Sequence, residues 1–360
     1  MQKLAGVRPV LVAMVVLLTT ACGGGEGEAA ESRSVEDVLE EVGDLPVDER
    51  RARLIDLAEK EGSSMTVYTT TAGDINDEVS AAFTEDTGVQ LLSYRADAED
   101  VRTRILQESE AGRLTADVTW IGDSRLIPVR DAGLLAPYTS PHQADLVEGS
   151  VSEFWTINHY NMYVPAWNTD AVAPDEAPTS WEDLADPVWD NRMTLEASDF
   201  DWYWSVSNYL AEDLGRSEEE IDQYWADVVD GADFNSGHTS TRQLLIAGEY
   251  DLFASDFSNG VEAGKSDGAP VEWLPPLEPL FATPEAAAIL NTSANPATSV
   301  LFMDWLISDG QDVLRELAYD VTRKDLLSFD ADADLRFIDA ERWFEVEADV
   351  IDEYSALAAS

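Results

Sequence analysis

Apolar and polar residues alternate along the chain in blocks that predict short strands followed by helices. Within 47–61 the apolar side chains recur at helical spacing, and Gly62 marks the expected end of that helix. Each predicted strand leads into a polar loop, and this order of elements is typical of an α/β fold with a parallel sheet. The short apolar runs typical of strands lie at 65–68, 89–94, 117–121, 193–197 and 251–255.

Two stretches interrupt this order and predict extended connections between two halves of the fold. In 161–172, Val164 precedes Pro165; a residue before proline is pushed toward extended geometry, and the proline donates no hydrogen bond. In 271–280, several prolines exclude a regular helix. We therefore expect two lobes with hinge segments near 161–172 and 271–280. The first lobe is predicted to comprise 46–163 and 276–360, and the second 168–272.

The N-terminus resembles the leader of a bacterial lipoprotein. Basic residues precede an apolar run at 10–18, which is too short to span a bilayer and is typical of a secretory signal. Cys22 is the only cysteine and follows that run, although Thr19 stands where lipoproteins usually have leucine. We expect a signal peptide over 1–21, lipidation of Cys22 and a flexible tether over 22–45. Ordinary signal-peptide cleavage that leaves a free cysteine is the alternative.

The amino-acid composition of the chain limits the kinds of molecule that it can bind. The chain has 360 residues, 45% of them apolar, which is enough for two packed lobes. Its formal net charge of −50 excludes nucleic acid and anionic lipid as partners, because both require a basic surface. Acidic residues spread along a whole chain are typical of a solvated, salt-adapted surface. We therefore expect membrane contact only through the lipid anchor.

Polar loops at the ends of the predicted strands supply the candidate ligand-binding residues. In open α/β sheets ligands bind outside the carboxyl ends of the strands, where helix N-termini present free N–H groups. Each Ser, Thr or Asp at such a position is also a common helix cap. The candidates are Thr70, Thr71, Asp123, Ser124 and Tyr160 beside the first lobe, and Asp199, Trp202, Ser236, Thr239 and Asp256 in the second.

The second-lobe loops favour an organic cation. Segment 198–204 places two carboxylates beside three large aromatic residues, and Asp256-Phe257 adds another such pair. Aromatic faces and carboxylates both attract positive charge. The alternative is that the aromatic residues pack in the core and the acids cap helices. Arg95, Arg125 and Arg242 leave open a site that clamps a carboxylate or phosphate.

No motif predicts an enzyme. The chain contains no G-x-S-x-G, Walker A or H-E-x-x-H sequence. Its histidines, His142, His159 and His238, are not at metal-ligand spacing from one another. We therefore expect a binding protein without a catalytic site, a cofactor or a dedicated metal site.

Several segments together resemble the extracellular solute-binding proteins of ABC importers, of the kind grouped with ferric-iron-binding receptors. They follow the family's order from about residue 50 to residue 325. The resemblance implies a type II periplasmic-binding-protein fold, in which two α/β lobes close on a ligand. The segments are VYTTT at 67–71, FTEDTGVQ at 83–90, ADVTWIGD at 116–123, AGLLAPYTSP at 132–141, SWEDLADPVWDNRM at 180–193 and NPATSVLFMDWLISDGQ at 295–311.

The chain departs from the iron-binding members at two places. Those proteins carry adjacent tyrosines in a second-lobe loop, and the matching loop here, 254–259, has none. Some also place a histidine in the first-lobe loop, whereas 69–74 contains none. Carboxylates still suit ferric ion, so an iron ligand stays open.

We therefore expect a monomeric, extracytoplasmic, lipid-anchored receptor that captures a small solute or metal complex and delivers it to an ABC permease. The resemblance implies a ferric-type ligand, whereas the chemistry of the loops favours an organic cation such as a polyamine or thiamine. One alternative is a lipoprotein that senses its ligand for a membrane partner. Another is a receptor for an anion such as a phosphonate or a sugar phosphate.

Overall fold

A computed structural model of the chain describes residues 33–330 and 332–359, without the side chain of Asp74. The predicted signal peptide and Cys22 lie outside the described residues. The strands are β1 Ser64–Thr69, β2 Gln90–Arg95, β3 Val118–Gly122, β4 Thr156–Asn168, β5 Met193–Glu196, β6 Asp233–Asn235, β7 Leu252–Phe257, β8 Val271–Glu272, β9 Leu280–Ile289, β10 Asp320–Val321 and β11 Leu335–Phe337.

Helices flank these strands, and α2 has the bounds that the sequence pattern predicts. In the part of the chain that the structure describes, none is long and apolar enough to cross a membrane. The helices are α1 Val35–Val42, α2 Val47–Glu61, α3 Gly73–Thr87, α4 Ala98–Glu110, α5 Ile127–Asp131, α6 Phe200–Asn208, α7 Glu218–Val229, α8 His238–Ala247, α9 Ser258–Ser266, α10 Pro296–Leu306, α11 Asp309–Glu316 and α12 Ala340–Ala358.

The strands join in one sheet of order β2-β1-β3-β9-β4-β7-β5-β6, with β8 and β10 on β4 and β11 on β9. Parallel strands β1–β3 with their helices form the first lobe, and β5–β7 with theirs form the second. Strands β4 and β9 pair antiparallel and connect the two lobes. Alternate residues of β9 pack into apolar clusters on opposite faces of the first-lobe sheet, as the period of a strand requires.

Strand β4 contains the extended crossing that Pro165 predicts. Its first part pairs with β9, from Thr156 opposite Ala287 to Tyr163 opposite Phe281. Its last part pairs with β7, and the register shifts around Pro165 because proline cannot donate to the ladder. The return strand, β9, begins at the end of the predicted segment 271–280 rather than within it.

Helix α1 corrects part of the predicted tether. Ser34 caps the helix in a capping box with Asp37. Val35, Val38 and Val42 share one face of the helix and are buried against the first-lobe core. Residues 35–42 are therefore a packed helix, since three valines at helical spacing bury enough apolar surface to hold it.

Helix α10 has no exposed face. All eleven of its residues are buried. Helices α1 and α2 pack against it, and its other side faces the sheet. The surrounding helices explain why a segment with polar residues is covered on every side.

Helix α12 contacts both lobes, although the predicted division assigned it to the first. Its residues Trp343, Val350 and Tyr354 pack in the second-lobe core. On its other face, Glu347 forms an ion pair with Arg125 of the first lobe. Nη1 of Arg125 donates to Oε2 of Glu347 at 2.6 Å. An amphipathic pattern predicts that a helix packs, but not on which lobe it packs.

Candidate functional site

The ends of strands β5, β6 and β7 bring three predicted loops together in the second lobe. Asp199 lies in the loop after β5, His238 is the first residue of α8, and Asp256 lies near the end of β7. The Asp199 side chain is 3% exposed, and its Oδ1 lies 3.2 Å from Nε2 of His238. The His238 ring stacks on Phe257 at 3.8 Å between ring centroids. Residues that are far apart in the sequence therefore form one polar cluster.

The charges of Asp199 and His238 depend on each other. Burial raises the pKa of Asp199 to about 7, although His238 acts in the opposite direction. Burial alone would lower the pKa of His238, but the Asp199 carboxylate raises it above its ordinary value. This pair therefore titrates close to neutral pH.

Glu196, the last residue of β5, connects two of these loops. Its carboxylate accepts hydrogen bonds from the backbone N–H and the hydroxyl of Ser198, both at 2.6 Å, and from the Gly237 N–H at 2.8 Å. Burial would raise the pKa of Glu196, but these donors lower it below its ordinary value. Glu196 is therefore a charged carboxylate that holds the start of α8 beside Asp199.

Asp256 already has a positive partner. It is fully buried and accepts hydrogen bonds of 2.7 and 2.6 Å from Nε and Nη2 of Arg242. The Arg242 guanidinium lies against Gly260, where an added Cβ would come within 2.0 Å of Nη2. The pair is thus a buried structural contact beside the cluster rather than a free anchor for a ligand.

The first-lobe side of the site contains two carboxyl groups. Asp123 follows β3 and is 8% exposed; burial raises its pKa to about 8, and the nearby charges of Glu285 and Asp339 act in the same direction. Glu285 on β9 accepts a hydrogen bond of 3.4 Å from Oγ1 of Thr70, and burial raises its pKa to about 7. Among the described residues, no lysine or arginine forms an ion pair with either carboxyl group.

Strand β9 has one side chain bonded to each lobe. Thr283 and Glu285 lie two residues apart and share one face of the strand. Oγ1 of Thr283 donates to Asp201 at 2.6 Å, and the hydroxyl of Tyr163 donates to the same carboxylate at 2.7 Å. Thr283 therefore bonds to the first turn of α6 in the second lobe, whereas Glu285 bonds to Thr70 in the first.

The structure places the other predicted residues differently. Thr71 is buried and its N–H donates to Oγ1 of Thr69 at 3.0 Å, whereas Ser124 is half-buried in the turn after β3. Ser236 and Thr239 are exposed at the start of α8. All four lie at strand ends, as predicted.

Tyr160 and Trp202 belong to the apolar cores, and we do not retain them as ligand-binding candidates. The ring of Tyr160 packs edge-on against the ring of Phe337, at the point where β4 pairs with β10. Trp202 is fully buried, with its ring edge-on to the rings of Trp181 and Trp225. For Trp202, the alternative that the aromatic residues pack in the core is the one that the structure supports.

Sequence reasoning missed Glu196, Thr283 and Glu285. Glu196 lies at the end of a predicted strand, where a charged residue is common and does not indicate a binding site. Thr283 and Glu285 lie on a strand that the hydrophobic pattern does not reveal, because the segment contains few large apolar residues. No spacing rule could have found them.

Comparisons with known proteins identify the family of the chain. The family model described as bacterial extracellular solute-binding protein matches residues 78–313. The chain belongs to this family. Solute-binding proteins bind small ligands or metal complexes, and neither the family nor the fold is one of enzymes.

Known relatives support the family assignment. Iron uptake protein A1 of Synechocystis is 25% identical over 270 residues, which cover 69% of this chain and 72% of that protein. A Trichodesmium protein in complex with iron and citrate is similar with a TM-score of 0.65 and 18% identity, over 82% of this chain and 99% of the other.

The periplasmic binding protein AfuA of Actinobacillus pleuropneumoniae, with fructose-6-phosphate bound, is similar with a TM-score of 0.62 and 18% identity, over 82% and 98% of the two chains. At these identities the structural similarity concerns the fold alone. The predicted two-lobe α/β fold is thereby confirmed.

The solute-binding protein without ligand is expected to become less stable as the pH rises from about 5 to about 8. Asp123, Asp199 and Glu285 keep their protons in the folded state up to a pKa of about 8, 7 and 7, respectively. The unfolded chain releases these protons near pH 4. The stability that they contribute is thus present at low pH and is lost as the pH rises through the folded pKa values.

Urea unfolding at pH 5.5 and pH 8 measures this difference, which we expect to be about 2–4 kcal/mol. Asp123→Asn removes one of the three groups without changing its shape, so it should reduce the dependence on pH and stabilise the protein at pH 8. Equal midpoints for the unmodified protein at both pH values would contradict the raised pKa values of these carboxyl groups.

Proposed function

We propose that the protein is the solute-binding component of an ABC importer and that its solute is an organic cation. One observation carries the choice of ligand: Asp123 and Asp199 are buried, Glu285 is half-buried, and no lysine or arginine among the described residues pairs with them, although His238 lies beside Asp199. Such a carboxyl group keeps its proton unless a positive partner stabilises its charged form. An amine ligand would supply it.

The arginines near the site argue against an anionic ligand. Arg242 is bound to Asp256, and Arg125 to Glu347. Arg95 is exposed, and its Nε donates to the carbonyl oxygen of Thr71 at 2.9 Å. A phosphate or carboxylate would have to break one of these pairs while it enters a negatively charged site.

A ferric complex is the second candidate. The similarity to iron uptake protein A1 supports it, and carboxylate oxygens suit ferric ion. Against it, segment 254–259, which matches the loop where iron-binding members of the family carry adjacent tyrosines, contains no tyrosine. The local chemistry therefore favours the amine.

Capture by closure follows from the position of the carboxyl groups. Asp123 and Glu285 belong to the first-lobe side and Asp199 to the second-lobe side. A cation that reaches both sides interacts fully with both only when the lobes are closed, and it therefore shifts the population toward closure. Delivery to a permease follows from the family. Lipid anchoring at Cys22 stays a prediction from the sequence.

A thermal-shift screen in high salt at pH 8 tests the ligand class. The panel contains polyamines, thiamine, ferric complexes, phosphonates and sugar phosphates. An amine present at 100 times its dissociation constant should stabilise the protein by about 2.7 kcal/mol. The shift should be smaller at pH 5.5, where the carboxyl groups bind protons instead of the ligand.

The other outcomes of the screen are equally informative. If only ferric complexes raise the melting temperature, the second candidate is correct. If only the phosphonates or sugar phosphates do so, the proposed charge of the ligand is wrong. High salt suppresses weak, nonspecific binding of cations to a chain with a net charge of −50.

A further inference from the structure

We propose that Glu196, Asp199 and His238 form a binding site for a divalent transition-metal ion in the second lobe. This inference goes beyond the proposed function, because the site lies within one lobe and requires neither closure nor a particular solute. The sequence analysis predicted no metal site, since the three histidines lie far apart. The side chains that would coordinate the metal are instead the last residue of β5, a residue of the loop that follows it and the first residue of α8.

The three side chains already point toward one another. One ligand atom from each lies within 4.8 Å of the other two. Ligands at about 2.1 Å from a tetrahedral ion are about 3.4 Å apart, so small side-chain rotations are sufficient to close the site. Among the described residues, this is the one group of three such side chains within reach of a single ion.

The donor set is suited to this class of metal. Two carboxylate oxygens and one imidazole nitrogen are ligands of zinc, cobalt, manganese and ferrous ions, whereas magnesium and calcium prefer oxygen alone. The site would leave at least one coordination position for water or a solute group. Because the set includes a histidine, its metal preference differs from that of the many surface carboxylates of the chain, which offer oxygen ligands only.

Neighbouring groups hold the ligands in place. The backbone N–H groups of Ser198 and Gly237 and the hydroxyl of Ser198 fix the Glu196 carboxylate. The stacked ring of Phe257 fixes the plane of His238. Such support from a second layer of contacts orients metal ligands and strengthens binding.

An independent observation points to a missing ligand. Oδ2 of Asp199 is buried and has no hydrogen-bond partner among the described residues. The buried hydroxyl of Ser255 lies near this carboxylate. A pairing of Asp199 with His238 alone uses only Oδ1 and leaves the second oxygen without an interaction. A metal ion would engage it.

Titration with Co²⁺ tests the site, because its visible absorption reports histidine ligation and a low coordination number. The full chain is first treated with EDTA, which is then removed, and the titration is performed in high salt with excess Mg²⁺. These conditions occupy or screen the surface carboxylates. We expect one Co²⁺ per chain with a visible absorption band, and Zn²⁺ should displace it.

His238→Gln and Asp199→Asn should each weaken Co²⁺ binding by at least about 10-fold to 100-fold. The matched control is His142→Gln, which removes a histidine from the turn at 141–145 of the first lobe and should leave binding unchanged. Circular dichroism establishes that each variant is folded. Asp199→Asn keeps the shape of the side chain, so it provides a second measurement if His238→Gln does not fold.

Co²⁺ binding that is equal in the parent and in both site variants would overturn the inference, as would binding that excess Mg²⁺ abolishes. Neither result affects the thermal-shift screen, which is performed with EDTA present for the amine ligands. Conversely, a screen in which no amine binds leaves the Co²⁺ titration valid. The two proposals can therefore fail separately.

Discussion

Replacing Asp304 with alanine is expected to destabilise the protein by about 3–5 kcal/mol, because it leaves a buried arginine without a counter-charge. Arg50 on α2 is 2% exposed. Its Nε and Nη2 donate to the Asp304 carboxylate at 2.6 and 3.1 Å, and the hydroxyl of Tyr138 donates to the same carboxylate at 2.6 Å. This network joins α2 and α10 inside the first lobe.

Urea unfolding of the variant measures the loss. The matched control is Asp309→Ala, which breaks the exposed ion pair of Arg51 and Asp309 at 2.6 Å. An exposed pair contributes less than about 1 kcal/mol, so this variant should unfold close to the parent. Similar losses for both variants would show that burial does not determine the cost.

A double variant separates the cost of an unpaired charge from the value of the pair. Arg50→Met with Asp304→Leu replaces both charged groups with apolar side chains, and such replacements are often neutral. We expect it to recover most of the stability lost in Asp304→Ala. Recovery should be incomplete, because Tyr138 then lacks its acceptor.

Asp199→Asn and Glu285→Gln are each expected to weaken binding of the best amine from the screen by about 10-fold to 100-fold. A hydrogen bond or ion pair to a charged group contributes about 1.5–3 kcal/mol, and each substitution removes one charge without changing the side-chain shape. Isothermal titration calorimetry at pH 8 with EDTA measures the dissociation constants. EDTA excludes an effect through a metal at Asp199.

The controls for this experiment are Glu85→Gln and Asp267→Asn, which each remove one charge from an exposed side chain at the C-terminal end of α3 and of α9, respectively. They should change the affinity by less than about 3-fold. Because a bridging ligand couples both sides, the double variant should show non-additive losses. If Glu285→Gln binds as tightly as the parent, the ligand does not reach the first lobe.

Much of the fold follows from local pattern. The predicted helix over 47–61 agrees with α2, and the predicted strands lie within about two residues of β1–β3, β5 and β7. Pro165 marks the irregular point of β4. In these segments the spacing of apolar residues and the constraints of proline and glycine act over a few neighbours, so the sequence is sufficient.

Patterns failed where a distant segment covers an element. Helix α10 carries polar residues and nevertheless is buried on all sides, because α1 and α2 pack over it. Trp202 follows an acidic loop that suggests a cleft, but its ring points into the core between other tryptophans. In both places, neighbours from elsewhere in the chain determine exposure.

By itself, the sequence determined the α/β class, the two-lobe organisation and the acidic composition, and it indicated polar strand ends as candidate ligand contacts. Only the tertiary structure decided which polar groups share the site. Asp256 is paired with Arg242, whereas Asp123, Asp199 and Glu285 have no lysine or arginine partner among the described residues. The physical reason is that burial and pairing depend on contacts between segments far apart in the chain, and these contacts set the charge of each carboxyl group.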